Sequence, residues 1–161
     1  MKQTLIAIAA SVAWLTASHA SAQGIESFVT GGTHRDSNRE QFTGLGGGVL
    51  LMGGKWIGVG AQGDAFFSLP YVAGRFTMLV QGNVVDIAGV RPFVQAGKGF
   101  GEFKGRMYGA GVDFRPRDSR IGVRASYQAY LADVWNRPEK HVQPSVSVGV
   151  IWTASRVAAE P

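Results

Sequence analysis

The stretch SRIGVRASYQAYL, Ser119 to Leu131, carries two interleaved rows. Ile121, Val123, Ala125, Tyr127, Ala129 and Leu131 make one; Arg120, Gly122, Arg124, Ser126, Gln128 and Tyr130 make the other. Side chains of a strand point alternately to its two sides, so the segment has one apolar face and one polar face. A water-soluble sheet buries the apolar row. A membrane barrel turns that row to lipid and encloses the arginines.

The start of the chain bears on the choice. Lys2 precedes an apolar run from Leu5 to Leu15, followed by Ala20-Ser21-Ala22, a small-residue A-x-A site. A charged start, a short apolar core and such a site are the parts of a secretory leader, and the run falls short of the roughly 20 residues a spanning helix needs. We therefore expect residues 1–22 to be a signal peptide and residues 23–161 to form one domain. Cleavage after Ala22 leaves 139 of the 161 residues, enough for a single core, with 15 Lys and Arg against 11 Asp and Glu. The basic residues are scattered, so nucleic acid is not an expected partner. The absence of cysteine excludes a disulfide scaffold and thiolate metal sites.

All 23 glycines follow the leader, about one residue in six, and no apolar period of 3.6 is evident. What recurs is alternation, which predicts eight strands: 24–34, 42–52, 56–67, 74–85, 90–100, 105–114, 120–131 and 142–152. Their lengths suit membrane-crossing strands better than the usual 5 or 6 residues of soluble domains. Between them, Gly53-Gly54-Lys55, Asp86-Ile87-Ala88-Gly89 and Arg115-Pro116-Arg117-Asp118-Ser119 are short turns at one end. The first and last links at the other end, 35–41 and 132–141, are longer and charged. Without a further spanning helix, a mature chain lodged in a membrane must be a closed barrel, which satisfies every backbone group internally.

Tracts such as YGAGVDFRPRDSRIGVRASYQAYL (108–131), with the leader and the strand count, resemble the small eight-stranded outer-membrane β-barrels typified by the OmpA transmembrane domain and OmpX. That resemblance implies an all-β, up-and-down transmembrane barrel of the porin-family kind. It also implies contact with outer-membrane lipid and lipopolysaccharide, delivery by the barrel-insertion machinery, and a monomer. Members commonly end on an aromatic residue of the last strand; here SVSVGVIW ends at Trp152, but Thr153 to Pro161 follow.

The apolar rows then read as lipid-facing: Ile57, Val59, Ala61, Ala65 and Phe67; Phe76, Met78, Val80 and Val84; Tyr108, Ala110, Val112 and Phe114; Val146, Val148, Val150 and Trp152. Trp56 and Phe66 fall on the other row. The inward rows hold Asp64, Arg75, Arg91, Asp113 and Arg124 among glutamines, Asn83 and glycines. A lumen of eight strands is only wide enough for side chains to fill it, and buried charges must pair. We expect these five to form an interior salt-bridge network, a plug and not a pore.

Few groups point to chemistry. Gly58-Val59-Gly60-Ala61-Gln62-Gly63 spells a dinucleotide fingerprint but lies inside a strand with no helix after it. Gly97, Gly99 and Gly101 read as a tight hairpin with Lys98 and Glu102. His141 and Ser145 share a face roughly 13 Å apart, at about 3.3 Å per residue, too far for proton transfer. His34 sits near the first loop with no partner legible in the sequence. No catalytic residue, cofactor or metal site is expected. Arg35, Arg39, Lys104, Arg106, Arg137 and Lys140 are candidates to meet lipopolysaccharide phosphates, since Arg and Lys suit anions. The expected role is structural, adhesive or surface-interacting. A lipid A-modifying barrel enzyme and a soluble periplasmic ligand-binding barrel are the alternatives.

Overall fold

The computed structural model describes residues 24–35, 40–68, 71–101, 104–117, 119–133 and 140–154. The expected leader, the candidates Arg39 and Arg137, and the segment after residue 154 lie outside these. Eight strands run in chain order: β1 Gly24–Arg35, β2 Gln41–Gly53, β3 Ile57–Ser68, β4 Tyr71–Asn83, β5 Val90–Gly101, β6 Gly105–Phe114, β7 Ile121–Asp133 and β8 Lys140–Thr153. Each pairs antiparallel with the next, and β8 returns to β1 with Glu26 opposite Thr153 and His34 opposite Ser145. Closure leaves no unpaired edge, the condition for a sheet to lie in lipid. Strands of 10 to 14 residues are long enough to cross a bilayer when tilted.

The ladders move several expected boundaries. The β3–β4 pairing runs up to Ser68 opposite Tyr71, so β4 starts three residues before Gly74. Trp56 lies in the β2–β3 turn and not in a strand, which frees it from the alternation; its carbonyl accepts the Asn83 N–H at 2.7 Å. The hairpin expected around Lys98 is also displaced. Lys98 pairs with Arg106 and Gly99 with Gly105, so the glycine run belongs to β5 and the reversal comes after Gly101, whose φ is +100°. Cross-strand hydrogen bonding outweighs the turn preference of the three glycines.

The outward face is apolar for most of its height. Val59, Met78, Val94, Tyr108, Val123 and Val148 are all exposed there. Thus Ile121, Val123 and Tyr127 of the opening stretch face outward, while Arg124 is 2% exposed and points in. The lumen departs from the wholly polar filling expected of it. Phe28, Leu50, Met52, Leu79, Met107, Tyr130 and Ile151 form a buried apolar cluster that runs along the lumen, with Tyr130 against Arg75, Phe28 against Arg124 and Met52 at the short-turn mouth. Small residues on the facing strands make this possible. A Cβ at Gly111 would collide with the Phe93 ring and the Ala125 carbonyl, and one at Gly46 with the Asp64 carboxylate.

Candidate functional site

The lumen contains two charge clusters, one toward each mouth. In the first, Asp64 on β3 and Arg75 on β4 are direct cross-strand partners. Arg75 Nε and Nη2 donate to Asp64 Oδ2 at 3.2 and 2.9 Å, and Gln62 Nε2 donates to Oδ1 at 2.7 Å. The guanidinium carbon lies 3.2 Å from the Tyr130 ring centroid and 4.7 Å from that of Phe66. Gln128 Nε2 donates across the lumen to Gln62 Oε1 at 3.0 Å, and the Tyr130 hydroxyl donates to Gln128. A cavity of about 20 Å³ beside Thr30, Asp64 and Gln128 has room for about one water.

The second cluster repeats the first in the other half of the barrel. Asp113 on β6 faces Arg124 on β7, again cross-strand partners 11 residues apart. Arg124 Nε and Nη2 donate to the two Asp113 oxygens at 2.7 and 2.8 Å, and Nη2 also reaches Gln81 Oε1 at 3.1 Å. Its guanidinium lies 4.5 Å from both the Phe28 and Phe93 centroids. Such a fork-on-carboxylate pair held between ring faces satisfies a buried cation by hydrogen bonds and by the ring quadrupoles. Arg91 Nη2 bridges Asp113, at 3.1 Å, and both Glu26 oxygens, at 2.7 and 2.8 Å. Arg115 Nη2 adds a contact to Glu26 at 3.3 Å.

The structure therefore brings Arg91, Asp113 and Arg124 together, and keeps Asp64 and Arg75 as a separate pair. Glu26 and Arg115 were missed in the sequence. Glu26 shares its parity with Phe28 and Thr30, which was the available signal; Arg115 follows β6 and carried none.

Elsewhere, Arg35, Lys104 and Arg106 are exposed, and Lys140 pairs by register with Asp133 at the start of β8. Lys98, within β5, is exposed as well. It stands directly opposite Arg106 on the outward face, its Nζ 5.7 Å from the Phe100 centroid. His34 turns inward, 1% exposed, its ring 4.6 Å from that of Phe66. The strand partner of His34 is Ser145, so this histidine–serine pairing belongs to the lumen side and not to the lipid side. Gly58 and Gly60 sit within β3 against Met52 and the β2 backbone, with no helix following.

Neither a known protein family nor a curated protein matches the sequence. Solved structures do match the fold. A de novo designed transmembrane β-barrel superposes with a TM-score of 0.62 at 13% identity, over 82% of this chain and 96% of that one. The N-terminal β-barrel domain of Pseudomonas aeruginosa OprF gives 0.58 at 12% identity, over 80% and 96%. Ail, the attachment invasion locus protein of Yersinia pestis, gives 0.56 at 12%, over 81% and 96%. The architecture is that of the small eight-stranded barrels built to sit in a membrane, and the closed ladder agrees with it.

Proposed function

We propose that the chain is an exported, monomeric outer-membrane barrel with a structural or surface-attachment role and no enzymatic step. The observation that carries this reading is the outward apolar face around a lumen filled by paired charges and apolar side chains. Similarity to Ail, whose name denotes attachment and which has also been crystallised with the heparin analogue sucrose octasulfate, supports attachment over transport. The end with the short turns faces the periplasm. The opposite rim, with Arg35, Lys98, Lys104 and Arg106, meets lipopolysaccharide phosphates.

Lys98 and Arg106 support that assignment independently. Like charges directly opposite each other across a ladder destabilise it unless an anion lies between them. The pair lies eight residues above Val90, roughly 20 Å along the membrane normal for strands tilted about 40°, near the upper edge of a band about 25 Å tall. The exposed Phe100 and Tyr108 lie two residues from the pair along their strands, one on each side of it.

Fractionation of expressing cells, with gel migration before and after boiling, tests the location. Recovery in the outer-membrane fraction with heat-modifiable migration is expected, and a soluble periplasmic protein would refute it. Lipid A mass spectra with and without expression are expected to be identical; a shortened or modified lipid A would replace this reading with the enzymatic one.

A further inference from the structure

The mouth that carries the short turns contains a cavity of about 260 Å³. One water needs ~10–15 Å³ on this measure, so the space admits a small organic molecule and its hydration. It is bordered by Glu26, Lys55, Asp86, Arg91, Arg115 and Arg120, four cations against two carboxylates. Glu26 is 3% exposed and holds Arg91 and Arg115 from below, which fixes both guanidinium planes at the cavity floor. The Arg115 side chain is 21% exposed, so the guanidinium that Glu26 holds presents its open edge to the cavity while its Nε lies buried behind it. Lys55 and Arg120, at the rim, form no ion pair with a described carboxylate.

We propose that this vestibule is a binding site for a small organic polyanion carrying several carboxylates. A held, partly exposed guanidinium at the floor and two cations without a described carboxylate at the rim offer three separated points of attachment. The guanidinium fork suits a carboxylate, as Glu26 itself demonstrates within the same cluster. Asp86 repels a bound anion and sets the side on which its uncharged part must lie. Binding at this mouth depends on its own geometry and not on which membrane the barrel occupies.

Titration of citrate into the full chain in zwitterionic micelles, followed by the arginine Nε–H resonances, tests the site. Citrate is expected to shift Arg115 saturably and leave Arg75, at the far cluster, unmoved. The K55Q/R120Q double variant is expected to weaken binding at least roughly tenfold, the loss of charge-assisted contacts. D86N is expected to tighten it. Both variants alter the rim, and heat-modifiable migration confirms that the barrel still forms. Equal shifts with chloride at matched ionic strength, phosphate binding as tight as citrate, or unchanged affinity in the double variant would each overturn the assignment.

Discussion

A buried arginine is tolerable only with its carboxylate in place, and Arg75 and Arg124 each have one. Breaking such a pair on one side strands a charge and costs about 3–5 kcal/mol, whereas neutralising both members costs far less. R75M is therefore expected to lower the urea midpoint of refolded protein in vesicles substantially, and D64N/R75M to recover more than half of the loss. Asp113 and Glu26 are expected to rank differently. D113N removes the carboxylate under Arg124, which among the described residues has only Gln81 as a further side-chain acceptor, while E26Q leaves Arg91 with Asp113. A larger loss for E26Q than for D113N would contradict the partition of the network. On the outer surface, K98Q/R106Q is expected to stabilise the barrel in zwitterionic vesicles and to lose that advantage when lipid A is included. Urea midpoints in the two lipids provide the check.

Each strand joins an outward row and an inward row, and they were not equally legible in the sequence. The outward rows of β3, β4, β6 and β8 read directly, because lipid accepts any apolar side chain and leaves the alternation intact. The inward rows were harder. Phe66, Phe28 and Phe93 are inward aromatics that break a polar-in rule, and they are there because an arginine needs a ring face and a glycine opposite leaves room for it. Partner choice also depends on the barrel's circumference: Gln62 meets Gln128 only because β3 and β7 face one another across the lumen. Lys98 was misread for a related reason, since the glycines around it resemble a turn until the partner strand supplies the register. Two substitutions test the rows. V148R, on the outward face of β8, is expected to cost about 2–4 kcal/mol, as a charge at mid-membrane depth does. G111A is expected to cost about 1–3 kcal/mol by overpacking Phe93.

At the scale of the whole molecule, ion pairs and apolar side chains interleave to fill the lumen. In planar bilayers the barrel is expected to produce no steady conductance steps, and regular single-channel openings would show that the plug yields. The sequence spacing of the bridges has a further consequence, for the order of assembly. Asp64–Arg75 and Asp113–Arg124 are each 11 residues apart within a single hairpin, so their charges cancel as soon as two neighbouring strands meet. Glu26 reaches Arg91 and Arg115 across 65 and 89 residues, contacts that exist only once β1 has come round to β8. The β3–β4 and β6–β7 hairpins thus balance their inward charge as soon as they form, and Glu26 acts as the latch of the closed ring. Loss of an early bridge then slows insertion, whereas loss of the latch hastens reopening.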